Sequence, residues 1–291
     1  MTADTASSAG LHSSSPAAAP RRETLFVPAK DGQRLYVHYP SRAARTLGQV
    51  LHVPAFGEEM NKSRRMTALQ AERLAEAGFT VLVPDLLGCG DSSGDFGDAS
   101  WEAWIEDLVA AKHWLAGHTG GPLWLWGLRA GCPLAVAAAA RIGDPCHFLF
   151  WQAPASGKQL MQQFLRLKVV GEMLDGSAKG SLELMRRQLS EGRAVDVAGY
   201  SLAPGLVHGM EAASMAPPGS GGSRLVWLEL NTREEAALLP VSTKTLDQWR
   251  AAGYKTQAQL VRGPSFWQTT EIEDAPALID ATVAALKDDA S

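Results

Sequence analysis

Two periodicities alternate along the chain, and the switches between them mark its elements. Near the start, residues 24–27 (TLFV) and 33–38 (QRLYVH) flank Asp31-Gly32, a dipeptide suited to a tight reversal. Two antiparallel strands are therefore expected to open the fold from about Glu23. Continuous apolar runs follow at 49–53 (QVLHV), 79–83 (FTVLV), 123–126 (LWLW), 147–151 (HFLFW) and 225–228 (LVWL), and 254–261 (YKTQAQLV) reads as a last strand. Such runs suit strands buried on both faces of a parallel sheet.

Between the runs the period lengthens to that of a helix. Trp101, Trp104, Ile105, Leu108 and Leu115 form one apolar stripe, with Ser100 placed to cap its start and Gly117 to end it. Met66, Leu69, Leu74 and Ala77, followed by Gly78, predict a second helix, and the small residues of 130–141 a third. Strand–helix alternation at this spacing predicts an α/β fold: an open, mostly parallel sheet with helices on both faces. Residues of about 155–223 break the rhythm. Two helical stretches (159–174 and 182–189) lead into APPGSGG (216–222), which predicts a helical lid ending in a mobile loop before the sheet resumes at Arg224.

Composition changes this picture only at its edges. Residues 1–22 are rich in Ala, Ser and Pro and are expected to form a disordered leader, leaving 23–291 as one domain with the lid inserted in it. A net charge of -4 gives no field strong enough to collect nucleic acid. No apolar run approaches the ~18 residues of a membrane span, and the leader lacks a signal peptide's basic start and apolar core. Three scattered cysteines, Cys89, Cys132 and Cys146, fit a reducing compartment, so a cytoplasmic location is expected.

The candidate chemistry centres on Gly127-Leu128-Arg129-Ala130-Gly131, which lies between a predicted strand and a predicted helix. That is the setting of the G-x-S-x-G elbow, where a nucleophilic serine sits on a sharp turn. Here the central residue is Arg129; the alternative is an ordinary strand–helix connection whose glycines serve packing. A literal G-x-S-x-G occurs at Gly90-Asp91-Ser92-Ser93-Gly94, but a long loop precedes it and no helix follows, so Ser92 is expected to be held by local hydrogen bonds.

The loop after the 49–53 strand carries Phe56, Glu58 and Glu59, and in an open α/β sheet it should face Leu128, Arg129 and Ala130 across the ligand crevice. Glu58 and Glu59 either pair with Arg129, offsetting the cost of a guanidinium in a cleft, or face solvent. After the last strand comes Arg262-Gly263-Pro264-Ser265-Phe266-Trp267-Gln268. No histidine follows His208, so the usual general base has no candidate, and none of the seven histidines shows metal-ligand spacing. No metal or cofactor is implied.

Four stretches, 54–65 (PAFGEEMNKSRR), 85–92 (DLLGCGDS), 127–131 (GLRAG) and 266–272 (FWQTTEI), carry a resemblance. From about residue 23 to 287 the chain resembles the α/β-hydrolase superfamily, and within it the bacterial group called exosortase A system-associated hydrolase 2. The resemblance implies an α/β-hydrolase fold and a setting in loci for exopolysaccharide synthesis and for sorting proteins with a C-terminal PEP signal. It places the elbow serine position on Arg129 and the base position on Phe266, or on Ser265 if the loop shifts by one. The acid falls near Asn231, Thr232 or Glu234, of which only Glu234 ionises. Backbone N–H groups of Phe56 and Ala130 take the oxyanion-hole positions.

Losing one member of such a catalytic unit costs about as much as losing all of it, on the order of 10⁶-fold. The expectation is therefore a non-catalytic protein binding an anionic small molecule or an acyl or glycan intermediate in a cleft of Phe56, Glu58, Glu59, Leu128, Arg129, Ala130 and Ser265. An esterase using other residues, and a scaffold that contacts another protein of the locus through its lid, are the alternatives.

Overall fold

The structure, a computed structural model, describes residues 21–174, 181–219, 222–233 and 237–288. The expected leader (apart from Arg21 and Arg22), part of the expected mobile loop, and Glu234 lie outside the described residues. Chain order runs β1 (Glu23–Ala29), β2 (Gly32–Tyr39), β3 (Gly48–Val53), α1 (Glu58–Glu76), β4 (Phe79–Pro84), α2 (Trp101–Ala116), β5 (Leu123–Leu128), α3 (Gly131–Ile142) and β6 (Cys146–Trp151). There follow α4 (Gly157–Leu174), α5 (Ser181–Ser190), β7 (Val195–Val197), β8 (Tyr200–Leu202), α6 (Pro204–Ala212), β9 (Arg224–Asn231), α7 (Pro240–Ala251), β10 (Lys255–Arg262) and α8 (Pro276–Lys287).

Among the described residues the main sheet has eight strands in the order β1-β2-β4-β3-β5-β6-β9-β10, of which β2 alone runs against its neighbours. The apolar runs behave as their composition dictates: every residue of β3 and β5 is buried. Trp126, Trp151, Trp227 and Trp249 are among the largest fully buried side chains. Helix α1 packs with α8, and α2 packs with α3. The expected cap is in place, since Ser100 Oγ accepts the Ala103 N–H at 3.1 Å and α2 stops at Gly117.

The chain leaves β3 toward β4 on one side and returns from β4 to β5 on the other, so β3 and β5 are neighbours at the switch point of the sheet. Their register, Val53 opposite Gly127, makes the loops that follow them leave side by side. A crevice opens at that place in open α/β sheets.

One expectation needs correcting. The segment between β6 and β9 is not purely helical: besides α4, α5 and α6 it holds the hairpin β7–β8, with Val195 opposite Leu202. Val195, Val197 and Leu202 are buried while Asp196 is exposed. That alternation spans only a few residues, too few to stand out as a period.

Candidate functional site

At the end of β5 the backbone does what a nucleophile elbow does. Arg129 has φ 54°, the left-handed region that a non-glycine residue adopts at a cost of about 1–2 kcal/mol, and its N–H donates to the Trp151 carbonyl at 3.0 Å. The flanking glycines are demanded by space. A Cβ on Gly127 would meet Cys132 Cα at 2.7 Å, and one on Gly131 would meet the Val53 carbonyl oxygen at 2.1 Å. Strand, turn and helix are packed too closely for any side chain at either position, so the glycines serve that close packing, and the φ of Arg129 is what marks the turn as an elbow.

The guanidinium is answered by one of the two expected acids. Arg129 Nε donates to both carboxylate oxygens of Glu59 at 3.2 Å, and Nη2 lies 3.1 Å from Oε1. Arg129 is 12% and Glu59 20% exposed at the side chain, so the pair is largely withdrawn from water. Glu59 stands in the first turn of α1, where the helix dipole favours a carboxylate. Gln268 Nε2 donates to Glu59 Oε1 at 3.5 Å, and the Trp267 ring centroid lies 5.7 Å from Arg129 Cζ. Glu58 has a different role: its Oε2 accepts from the Tyr200 hydroxyl at 3.1 Å and from Asn61 at 3.4 Å, tying hairpin β7–β8 to the start of α1. Burial and the Glu58 charge push the Tyr200 hydroxyl up to about 12, so it stays protonated.

A cavity of about 330 Å³ opens over the ion pair, lined chiefly by Phe56, Leu160, Phe164 and Trp267 with Lys62 and Gln163 among its polar members. Of the residues expected in the cleft, Phe56, Glu58, Glu59 and Arg129 line this cavity, whereas Leu128, Ala130 and Ser265 do not. Leu128 is wholly buried as the last residue of β5, and Ala130 begins the packed turn into α3. In the loop after β10 the aromatic facing Arg129 is Trp267. Phe266, 2% exposed, points beneath it with its ring on Trp151 at 6.1 Å. Residues 160, 163, 164 and 167 were not anticipated, although their spacing along α4 is the signal of one helical face.

Among the described residues no histidine lines the cavity. His52, one strand away, is 3% exposed, and burial pushes its imidazole down to about 3. After β9, Asn231 Oδ1 accepts the Arg233 N–H at 2.8 Å and so serves the turn. Cys132 is fully buried against the carbonyls of Gly127 and Trp151, and burial pushes its thiol up, away from the reactive thiolate. Ser92 has both capacities of its hydroxyl in use: Oγ donates to the Asp85 carbonyl at 2.6 Å and accepts the Leu35 N–H at 2.9 Å.

With this geometry in view, comparison with known proteins is informative. A family model described as Hydrolase_4, serine aminopeptidase, S33, matches residues 45–191, just over half of the chain. The protein belongs to this family. The matched stretch contains the turn at Arg129; β9, β10 and the loops after them lie beyond it.

Among solved structures, a thermostable carboxyl esterase from Bacillus coagulans in complex with glycerol is 12% identical with a TM-score of 0.61, covering 94% of this chain and 100% of that one. A soluble variant of monoglyceride lipase from Saccharomyces cerevisiae with a substrate analog is 12% identical with a TM-score of 0.63, covering 94% and 96%. Est1E from Butyrivibrio proteoclasticus with ferulic acid is 17% identical with a TM-score of 0.59, covering 90% and 96%. At these identities the likeness establishes the α/β-hydrolase fold. No curated protein matches the sequence. Among the described residues no helix is long and apolar enough to cross a membrane.

Proposed function

We propose that this protein is a non-hydrolysing α/β-hydrolase-fold binding protein that holds an acyl-bearing or similar apolar small molecule over the Arg129–Glu59 pair. The observation that carries the reading is that pair. The elbow keeps the strained backbone of a nucleophile, yet the side chain it presents is a guanidinium satisfied through Nε and Nη2 by one carboxylate. A free anion would have to displace a carboxylate already held in place by the fold, which disfavours the anionic ligand class and favours an uncharged body against Phe56, Leu160, Phe164 and Trp267. The cavity of about 330 Å³ lies within the range of small-molecule pockets. Of the ligands named for the similar structures, the substrate analog of the monoglyceride lipase is of the kind that suits such a lining.

The resemblance to exosortase A system-associated hydrolase 2 supports a setting beside exopolysaccharide synthesis, with an acyl or glycan-linked intermediate as the bound species, and the three scattered cysteines support a cytoplasmic location. The test uses monoacylglycerols with the intact protein. Tm should rise with the ligand, the rise should vanish in Gln163→Trp, which fills the exposed mouth of the cavity, and no fatty acid should be released. Turnover, or labelling of a single residue by a fluorophosphonate, overturns the reading in favour of an esterase with other catalytic residues. An unchanged Tm overturns the ligand class.

A further inference from the structure

Helix α1 presents three charges to the cavity over Arg129: Glu58, Glu59 and Lys62. Two of them have partners. Glu59 is held by Arg129, and Glu58 Oε2 accepts from the Tyr200 hydroxyl at 3.1 Å and from Asn61 Nδ2 at 3.4 Å. Lys62, half-buried on the same wall, has no ion pair or hydrogen bond at its side chain among the described residues.

That lack is informative because the sequence supplies a partner. Glu58 and Lys62 stand four residues apart with the acid on the N-terminal side, the arrangement in which a helix ordinarily pairs them. Hairpin β7–β8 diverts the acid. Tyr200, which also takes a hydrogen bond from Asn61 Nδ2 at 3.1 Å, draws the Glu58 carboxylate toward the lid, and the ammonium is left facing whatever enters the cavity. The objection to an anion at Arg129 therefore does not apply at Lys62. At Arg129 a ligand would have to displace Glu59; at Lys62 no carboxylate has to move.

The rest of the lining sorts by depth. On α4, Leu167 lines the cavity at 50% exposure, and Arg166 and Lys168, about 100° to either side of it around the helix, hold no carboxylate among the described residues. The rim is thus cationic. Phe56, Leu160 and Trp267, all buried, form an apolar interior with Phe164. One kind of molecule matches both ends: a hydrocarbon chain with an anionic head. The volume, about eleven times the ~30 Å³ that one water occupies in the liquid, holds a chain of roughly ten carbons. Lys62 is the one lining cation without a partner among the described residues, so a single negative charge is called for, as on a carboxylate.

We propose, building on the acyl-binding reading above, that the ligand of this cavity is a medium-chain fatty-acid anion. Its carboxylate pairs with Lys62 at the mouth, and its chain lies against Phe56, Leu160, Phe164 and Trp267.

Decanoate serves as the probe, with decanol as the chain without the charge and acetate as the charge without the chain. Calorimetric titration of the intact protein should show decanoate binding roughly tenfold tighter than decanol, the size of one charge-assisted hydrogen bond, and acetate not binding. Lys62→Gln should bring the ratio of the two affinities to about one. Glu58→Gln, which removes the competing carboxylate, should raise the ratio, and Tyr200→Phe, which frees Glu58 to reach Lys62, should lower it. Raising the salt to about 1 M, where the screening length falls to about 3 Å, should shrink the ratio as well. Gln163→Trp should abolish both ligands. A ratio near one in the wild type, or one that Lys62→Gln leaves as it was, overturns the head-group assignment while decanol binding still upholds the acyl reading. Silence from both chains overturns both readings. Decanoate binding that survives Gln163→Trp, or acetate binding as tightly as decanoate, is pairing with surface charge alone and also overturns the proposal.

Discussion

Two pentapeptides in this chain divide the properties of a nucleophile elbow between them. Gly90–Gly94 has the serine and lacks the setting: Ser92 is 8% exposed, its hydroxyl bridges Asp85 and Leu35, and only a short 3-10 turn at Phe96–Asp98 follows. Gly127–Gly131 has the setting and lacks the serine, with Arg129 at φ 54° between a buried strand and α3. All three fixed positions of the hydrolase pattern match in the first case, whereas in the second the two glycines and the backbone match and the serine does not. The torsion, the two space-limited glycines and the neighbouring loop from β3 define an elbow; the letter S does not.

The largest effect that can break this comparison lies in the glycines. Gly131→Ala places a methyl 2.1 Å from the Val53 carbonyl oxygen, which is backbone and cannot swing aside, so unfolding free energy in urea should fall by about 3 kcal/mol or more. Gly94→Ala meets Leu87 Cδ1 at 2.8 Å, a movable side chain, and its cost comes mainly from φ 86°. A loss of about 1–2 kcal/mol is expected there. Equal losses at the two sites would mean that the elbow is not under tighter spatial control than the loop.

Next in size is the ion pair. Arg129→Ser leaves Glu59 without its partner and removes the Trp267 contact. Because both side chains keep 12–20% exposure, about 2 kcal/mol is expected, below the cost of stranding a fully buried carboxylate. Glu59→Gln in the same chain should recover part of that loss, a coupling that a double-mutant cycle reads directly. The new serine should not hydrolyse p-nitrophenyl esters, since no described histidine lines the cavity beside it. Additive losses, or ester turnover, would contradict this account of the elbow.

The imidazole nearest the elbow in the sheet gives a third, smaller handle. His52 stands opposite Trp126 in the β3–β5 register, and its pKa falls from 6.5 to about 3 through burial. Below pH 6.5 the unfolded chain binds a proton that the folded chain refuses, so stability drops on acidification. Its contribution approaches about 1.4 kcal/mol per pH unit until the folded pKa is reached. His52→Gln should flatten that acid limb. An unchanged slope would show that His52 titrates freely and could serve as a base.

Much of the fold was legible because its signals are long and periodic: the buried runs of β3, β5 and β6 and the stripe of α2 each repeat a pattern several times. The pairing of Arg129 with an acid of the β3 loop followed from the cost of a guanidinium at an elbow, but the choice between Glu58 and Glu59 did not. That choice depends on which side of α1's first turn faces β5 and on Tyr200, 142 residues away, which engages Glu58. Trp267 in place of Phe266 was hidden for a similar reason, since a loop's side-chain directions have no period. Arg34 reads as a polar position on a strand, yet it is 3% exposed and holds both oxygens of Asp107 at 2.8 and 2.9 Å. Long-range charge partners of this kind leave no local trace.

The smallest effect concerns the serine itself. If Ser92 is a structural tie, Ser92→Ala removes an acceptor for the Leu35 N–H and a donor to the Asp85 carbonyl, at buried atoms between β2 and the loop after β4. Each neutral hydrogen bond contributes roughly 1 kcal/mol, and water entering the space left by Oγ offsets part of the loss, so about 1 kcal/mol is expected in urea unfolding. Monoacylglycerol binding should be unaffected, because Ser92 lines no part of the cavity over Arg129. Labelling by a fluorophosphonate should be absent before and after the substitution. The opposite pattern, stability unchanged and a wild-type label lost in Ser92→Ala, would transfer the nucleophile to the pentapeptide that has the letter and not the geometry. The argument from Arg129 would then fail.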